Sequence, residues 1–184
     1  MKTSPNDPLI LSEEVIYSPS NRWDVVKLRV RMATGTERDY FIKSKKPFVI
    51  VIAEKDGHFL CVEQYRVTMK QRSLEFMAGG IDDEEEPVEA ARRELKEETG
   101  YVAEHLKQIG SFFEANGSCR LHGHIFLAEG LTFTEEEREE YEADMETRWV
   151  PIKEFETMIR EGKLLDGKTI TAYTHWKLLT QPSS

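Results

Sequence analysis

Residues 79–101 read Gly-Gly-Ile-Asp-Asp-Glu-Glu-Glu-Pro-Val-Glu-Ala-Ala-Arg-Arg-Glu-Leu-Lys-Glu-Glu-Thr-Gly-Tyr and carry signals for both ends of a helix. Pro87 suits the first helical turn, because the N–H group that proline lacks would have no partner there. Gly100 suits the left-handed conformation of the residue that follows a helix. The stretch therefore predicts a helix from about Glu86 to Thr99, preceded by a glycine-containing loop.

Two faces of this helix differ in chemistry. Glu94, Glu97 and Glu98 stand at i, i+3 and i+4 and therefore share one face. The apolar stripe beside them consists of Val88, Ala91 and Leu95. Like charges at this spacing cost an isolated helix about 0.2–0.5 kcal/mol per pair, and Arg93, four residues before Glu97, offsets only part of that cost. We therefore expect the anionic face to bind a cation.

The ligand types indicate which cation fits. Clustered carboxylates with no Cys or His among them suit a hard ion such as Mg²⁺, with Mn²⁺ as an alternative. Gly79 and Gly80 let the backbone approach a ligand closely, so the carbonyl oxygen of Ala78 is a further candidate ligand. The alternative interpretation is an ordinary solvated helix face.

The composition is that of a globular chain. At 184 residues and 39% hydrophobic content, it can bury one substantial core. The longest apolar run, Phe48–Ala53, has six residues and is far too short to span a membrane. The N-terminal residues lack the basic and apolar regions of a signal peptide, so we expect a cytoplasmic protein with no membrane partner.

The charge restricts the class of partner. A net charge of −9 repels nucleic acid, and sequence-independent binding to a phosphate backbone is not expected. It also repels small phosphorylated substrates. Such a substrate would need local Arg or Lys residues and a bound divalent cation, which agrees with the predicted metal site.

The N-terminal segment predicts a small antiparallel β-module. Residues 1–14 indicate a loose lead-in, whereas from Trp23 onward apolar and basic residues alternate as in a strand. Thr34-Gly35-Thr36 then turns the chain into a second strand over 37–42. So few strands are marginal alone, which favours a dimer. The predicted domains are residues 1–45 for this module and 46–184 for a catalytic domain.

The rest of the chain alternates strands with helices. Strands are predicted at Phe48–Ala53, Phe59–Gln64, Ile109–Glu114, Leu121–Ala128 and Thr147–Val150, and Leu74–Met77 leads directly into Ala78-Gly79-Gly80. A short helix should stop at Gly162, and a terminal helix should include Trp176. Thr134–Glu146 holds eight acidic residues and predicts a solvated surface segment, or a loop that brings one Glu to the metal. Cys61 and Cys119 are both interpreted as buried small residues.

The pattern Gly79, five residues, Glu85, seven residues, then Arg93-Glu94-Leu95-x-Glu97-Glu98-x-Gly100 resembles the box of the Nudix hydrolases at every fixed position. Tyr101 departs from the aliphatic residue usual at the last position. The resemblance implies an α/β/α sandwich with a mixed sheet, which hydrolyses a nucleoside diphosphate linked to another group. It also implies that Glu97 and Glu98 hold Mg²⁺, that Glu94 and Glu85 complete the acidic site, and that Arg93 orients these carboxylates.

Two further segments, Glu63–Arg66 and Leu74–Gly80, resemble the branch of ADP-ribose and nucleotide-sugar pyrophosphatases, as does Trp149-Val150-Pro151. In that branch the N-terminal strands are exchanged across a homodimer. The resemblance implies substrate contacts, which are assigned to Trp23 for the base, Arg66 for phosphate, and Glu75, Gly79 and Gly80. The alternatives are a dimer-core aromatic for Trp23 and a structural salt bridge for Arg66.

The same resemblance guides the choice of substrate and general base. ADP-ribose members usually carry a proline where this chain has Ala115-Asn116, which favours a broader nucleoside diphosphate sugar pyrophosphatase. The general base is expected before the last strand, among Glu139, Glu140, Glu142 and Glu146, with Glu142 or Glu146 preferred. Alternative functions are hydrolysis of a dinucleoside polyphosphate or an oxidised nucleoside triphosphate, and a non-catalytic nucleotide-sugar sensor.

Overall fold

The computed structural model describes residue 4 and residues 6–20, 23–135 and 144–180. The strands are β1 Leu9–Ser20, β2 Trp23–Arg31, β3 Glu37–Ser44, β4 Phe48–Lys55, β5 His58–Arg66, β6 Gln71–Glu75, β7 Met77–Gly80, β8 Tyr101–Phe113, β9 Cys119–Arg120, β10 His122–Phe133 and β11 Glu146–Pro151. The helices are α1 Pro87–Thr99, α2 Ile152–Arg160 and α3 Gly167–Thr180. The chain divides into two compact units, Met1–Pro47 with Phe113–His122, and Phe48–Phe112 with Gly123–Ser184.

The first unit contains a four-stranded sheet in the order β1-β2-β3-β9. Strands β1, β2 and β3 are antiparallel neighbours, and β9 pairs in parallel with β3. The predicted alternation in β2 is confirmed, because Val26, Leu28 and Val30 are buried in a small core. The prediction of a loose lead-in is wrong for residues 9–14, which belong to β1. Their side chains are exposed, so no burial pattern revealed the strand, which forms by hydrogen bonding to β2.

The second unit contains a seven-stranded mixed sheet. Its main path runs β11-β5-β4-β10-β8, while β6 pairs with β5 and β7 pairs with β4. The β10–β4 pairing is parallel, and the pairings of β11 with β5 and of β4 with β5 are antiparallel. Two strands start or extend beyond their predicted limits: β8 begins at Tyr101, directly after α1, and β10 continues to Phe133. Glu146, predicted in the acidic loop, is the first residue of β11.

Helices cover both faces of this sheet. Since successive residues of a strand point to opposite faces, β4 contributes Val49 and Val51 to one core and Ile50 and Ile52 to the other. The first core packs against α1, whose residues there are Ala90, Ala91 and Leu95. The second face carries a group of aromatic rings, namely Phe59, Phe76, Phe155, Tyr173 and Trp176. This three-layer arrangement is the predicted α/β/α sandwich.

The ends of α1 and the burial of Cys61 agree with the predictions from the sequence, whereas the burial of Cys119 does not. Helix α1 begins at Pro87 and is followed by Gly100 in the left-handed conformation, with φ of 73°. Cys61 is buried as predicted, and burial raises the pKa of its thiol. Cys119 is only half-buried, so its predicted burial is wrong: it lies on the two-residue edge strand β9. Among the described residues, no helix is long and apolar enough to cross a membrane.

Candidate active site

The guanidinium group of Arg93 lies at the centre of the carboxylates of residues 79–101. Its Nε and Nη2 donate to Glu85 at 3.0 Å each, and its Nη1 donates to Glu94 at 2.7 Å and to Glu97 at 3.0 Å. Nη2 also donates to the carbonyl oxygen of Gly80 at 2.9 Å. One cation therefore ties three helix or loop carboxylates to the end of β7. The family resemblance implied an orienting role for Arg93, and these contacts are consistent with it.

The electrostatic consequence is resolved at Glu85 and at Arg93. Hydrogen bonds from Arg93 hold the pKa of Glu85 below its ordinary value, and the backbone N–H of Asp82 adds to that effect. The same contacts raise the pKa of Arg93, with Glu85 as the largest cause. Because three carboxylates bind one guanidinium, the cluster retains excess negative charge.

Gly79 brings strand β7 into contact with α1. It pairs with Val49 in the middle of the sheet, and its missing side chain leaves space for the carboxyl group of Glu94. A Cβ atom at Gly79 would overlap all three atoms of that carboxyl group. The Glu94 side chain is 11% exposed and lies against the backbone of the strand. A glycine at position 79 is thus required by the position of a charged side chain.

Glu98 occupies the more deeply buried part of the same helix face. The residue is 3% exposed, compared with 8% for Glu94, although both are carboxylates. The pKa of Arg66 is raised chiefly by its hydrogen bonds to Glu75, and the charges of Asp166 and Glu98 add to this effect. Buried carboxylates near one another are costly unless a cation compensates them. The arrangement therefore favours bound positive charge beside Glu98.

The donor set fits a divalent cation. Glu85, Glu94, Glu97, Glu98 and the carbonyl of Ala78 offer only oxygen ligands, which is the preference of Mg²⁺ and Mn²⁺. Within the described ranges, no three His, Cys, Asp or Glu side chains converge in a metal-binding arrangement. Arg93 binds three of the carboxylates here. The individual metal ligands therefore stay predictions.

Arg66 and Glu75 form a second charged group, across the β5–β6 hairpin. Arg66 Nε donates to Glu75 Oε1 at 2.8 Å, and Nη2 donates to Oε2. Burial raises the pKa of Glu75, but the hydrogen bonds and the charge of Arg66 outweigh this effect. The pKa of Glu75 is therefore lowered overall. The salt bridge considered as an alternative for Arg66 is therefore present. It leaves Nη1 without a hydrogen bond in the described part of the chain, on a side chain that is 36% exposed.

Residues 43–172 match the NUDIX domain family, which is most of the chain. The chain belongs to the Nudix family. It is 31% identical over 138 residues to the ADP-ribose pyrophosphatase of Bacillus subtilis, covering 74% of this chain and 75% of that protein. It is 32% identical over 149 residues to the GDP-mannose pyrophosphatase of Pectobacterium atrosepticum, covering 75% of each. The predicted family is confirmed.

The fold comparison agrees with the sequence comparison. A crystal structure of an ADP compounds hydrolase superimposes with a TM-score of 0.83 at 23% identity. The match covers 98% of this chain and 99% of that chain. The predicted Nudix-type α/β fold is confirmed, and α1 with its preceding loop is the Nudix box of this chain.

Trp23, the predicted base-stacking residue, lies in the first unit. Its ring packs edge-on against Tyr17, with the centroids 6.5 Å apart, and Lys43 Nζ lies 4.8 Å above it. The residue is half-buried. Contact with a base and burial in a dimer core both stay predictions for this side chain.

The two preferred general bases have different positions. Glu142 lies outside the described residues, as do Glu139 and Glu140. Glu146 is 72% exposed at the start of β11, and its carboxylate lies 3.5 Å from Arg72. The structure gives Glu146 an ion pair on the sheet edge and no contact with the Nudix box among the described residues.

Sequence reasoning did not identify the first turn of α3 as part of this region. The backbone N–H of Phe76 donates to Thr169 Oγ1 at 3.0 Å, and Thr169 in turn donates to Asp166. The pKa of Arg66 is raised chiefly by its hydrogen bonds to Glu75, and the charge of Asp166 adds to that effect. Asp166 and Thr169 form a helix N-cap pattern, but no local signal indicated which strand they would meet.

Proposed function

We propose that this protein hydrolyses the diphosphate bond of nucleoside diphosphate sugars, including ADP-ribose, to a nucleoside monophosphate and a sugar phosphate. The observation that carries the proposal is the group of three Nudix-box carboxylates, Glu85, Glu94 and Glu97, that are bound by Arg93, with the buried Glu98 on the same helix. Family members of similar length are an ADP-ribose pyrophosphatase and a GDP-mannose pyrophosphatase. These names support the substrate class, while the sugar and the base are open to measurement.

Nudix hydrolases generally use divalent metal ions, and we propose Mg²⁺, with Mn²⁺ as the alternative. Glu97 and Glu98 would hold the ion together with Glu94, Glu85 and the carbonyl of Ala78. When bound, such an ion neutralises charge on the diphosphate and lowers the pKa of coordinated water. The hydrogen bonds of Arg93 limit the rotation of Glu85, Glu94 and Glu97, so less reorganisation is needed when a ligand binds.

Arg66 is proposed to bind a phosphate oxygen of the substrate. Glu75 accepts hydrogen bonds from one edge of the guanidinium and is itself 2% exposed, so it holds that group in one orientation. Nη1 points its donors away from this bond and has no hydrogen-bond partner among the residues described. A guanidinium with one edge fixed and one amino group open is suited to a phosphate.

The general base is proposed to be Glu142 or Glu146. A base must come within hydrogen-bond reach of the attacking water, so Glu146 would have to leave its ion pair with Arg72 to act. Glu142 lies outside the described residues. Comparing the pH–rate profiles of Glu142→Gln and Glu146→Gln would assign the role.

A screen of ADP-ribose, GDP-mannose, ADP-glucose and UDP-glucose with Mg²⁺ tests the proposed function. We expect turnover of at least one, yielding nucleoside monophosphate and sugar phosphate in equal amounts, and loss of that turnover in excess EDTA. Products should be identified by mass spectrometry, because release of inorganic phosphate or pyrophosphate would indicate another bond. Inactivity on all four, with hydrolysis of a dinucleoside polyphosphate or an oxidised nucleoside triphosphate, would refute the proposal.

Homodimerisation through the N-terminal strands and a cytoplasmic location belong to the same proposal. Strand β1 is an edge strand of twelve residues, and its exposed apolar side chains are Leu9, Ile10, Leu11, Val15, Ile16 and Tyr17. A long apolar edge is a site for pairing with another chain. Light scattering should give twice the chain mass of 21.4 kDa, and Val15→Glu should shift the population towards single chains. A single-chain mass at micromolar concentration would exclude the dimer.

A further inference from the structure

Strand β5 is held by a side chain just before it reaches Arg66. Its pairing with β11 ends at Glu63, which lies opposite Glu146. Continuing that antiparallel register would place Asp144 opposite Tyr65, the residue before Arg66. At this position the backbone N–H of Tyr65 donates to Asp144 Oδ2 at 2.8 Å. The carboxylate therefore supplies an acceptor at the point where β11 has ended.

Asp144 is itself held in place from two sides. Arg72 Nη2 donates to the carbonyl oxygen of Asp144 at 3.1 Å and to that of Glu63 at 2.9 Å, so one amino group joins the two segments. The next residue, Met145, is 3% exposed and belongs to the core that packs against α1. Because its backbone is fixed at both points, the carboxylate of Asp144 reaches Tyr65 from a defined position.

The hydrogen bond of Tyr65 bears directly on Arg66, the next residue and the last of β5. The guanidinium of Arg66 is held by Glu75 across the β5–β6 hairpin. Its carbonyl oxygen accepts the N–H groups of Met69 and Lys70, at 2.9 and 2.8 Å, in the turn that follows. Alternate residues of an antiparallel strand direct their N–H groups to opposite neighbours, so β6 cannot replace the acceptor of Tyr65. The carboxylate described above therefore fixes this side of the β5 end.

The contacts of Asp144 indicate a local effect on β5 and a small effect on overall stability. Its side chain is 49% exposed, and Oδ2 lies 3.8 Å from Arg72 Nη1. Exposed ion pairs of this kind contribute little to the free energy of unfolding. The bond to Tyr65 instead limits the motion of the strand end, and the side chain carried there is the proposed phosphate contact.

We propose that Asp144 is a positioning residue for Arg66, whose guanidinium it helps to hold in one orientation for the phosphate groups of the substrate. The inference rests on the proposed function and extends it to a residue outside the Nudix box. A binding group that is already ordered loses less entropy when the ligand arrives. Loosening the end of β5 should therefore weaken substrate binding, with little change in the chemical step.

The kinetics of Asp144→Ala and Asp144→Asn test this role, with Glu129→Ala as the control, because Glu129 is exposed on β10. For Asp144→Ala we expect KM for the best nucleotide sugar to rise about fivefold or more, with kcat within twofold of wild type. Asp144→Asn keeps an acceptor oxygen for Tyr65 and should recover most of this loss. Glu129→Ala should match wild type. A fall in kcat at unchanged KM would overturn the proposal, since it would indicate an effect on the chemical step.

A second background shows whether the effect passes through Arg66. In Arg66→Ala the guanidinium is absent, so adding Asp144→Ala should raise KM no further. The same fold increase in both backgrounds would refute the proposal, because Asp144 would then act on binding by another route. Melting temperatures of Asp144→Ala and wild type should agree within a few degrees.

Hydrogen exchange, followed by NMR, tests the positioning role without turnover. The Tyr65 amide and the Arg66 Nε–H should both exchange about tenfold faster in Asp144→Ala than in wild type, and at the wild-type rate in Glu129→Ala. If wild type hydrolyses nucleotide sugars but Asp144→Ala keeps both its KM and the Arg66 Nε–H exchange rate within twofold, the role of Asp144 is refuted while the function stands. If wild type hydrolyses none, the proposed function fails, and Arg66 Nε–H exchange alone decides whether Asp144 positions this side chain.

Discussion

Glu98→Gln is expected to lower kcat about 1000-fold or more, which corresponds to roughly 4 kcal/mol of lost transition-state stabilisation. Glutamine keeps the shape of the side chain and removes only its charge, so the loss reports on the proposed binding of a divalent cation. The side chain is nearly fully buried, at 3% exposure, so water cannot easily replace the missing carboxylate. The measurement is kcat at saturating nucleotide sugar over a range of Mg²⁺ concentrations.

The same substitution should not unfold the protein. Glutamine has nearly the same shape as glutamate, and a buried amide costs less desolvation than a buried carboxylate, so the melting temperature should stay within a few degrees of that of wild type. Glu89→Gln is the matched control, because Glu89 lies on the same helix, is 60% exposed and pairs with Arg92. Turnover of Glu98→Gln close to wild type would show that the proposed metal chemistry is wrong.

Gly79→Ala should lower kcat/KM about 100-fold, although it adds a single methyl group. The new Cβ would overlap the carboxyl group of Glu94, which is the flexible end of a side chain and is able to move aside. The expected result is therefore a displaced Glu94 and a disordered contact with Arg93, with a melting temperature that falls by only a few degrees. Kinetics and thermal unfolding on the same preparation would separate the two effects.

A double-mutant cycle of Gly79→Ala and Glu94→Ala tests whether the loss of activity arises from the contact between these two residues. In a Glu94→Ala background the obstructed carboxyl group is absent, so adding Gly79→Ala should cause little further loss of activity. Gly117→Ala is the control for the general effect of alanine, since an added Cβ there meets no atom within 4 Å. Additive losses from Gly79→Ala and Glu94→Ala would mean that the glycine serves another purpose.

Local sequence signals were sufficient for the Nudix helix and for the buried strands. Pro87 and Gly100 mark the two ends of α1 because their backbone preferences act within one turn of chain. The continuous apolar run Phe48–Ala53 predicted a strand covered on both faces, and all six residues are buried in β4. Strand β1 was missed because its exposed side chains show no periodic burial, and its pairing partner determines its conformation.

In the candidate site, too, local sequence spacing predicted some features, and contacts between distant residues decided the others. The i, i+3 and i+4 spacing of Glu94, Glu97 and Glu98 predicted a shared anionic face, since helix geometry alone decides it. Which cations meet that face depends on contacts between distant parts of the chain. The pairing of β5 with β6 brings Arg66 to Glu75, and the hydrogen bond from Phe76 brings the first turn of α3 beside them.

By itself, the sequence determined the family, the helix with its carboxylates and the class of chemistry, because each rests on residues a few positions apart. Only the tertiary structure decided that Glu94 lies against Gly79, that Arg66 is oriented by a buried carboxylate, and that Thr169 of α3 binds the backbone of Phe76. These contacts join residues on different strands and helices. Their geometry depends on how the layers pack around the sheet, and no local pattern in the chain encodes that packing.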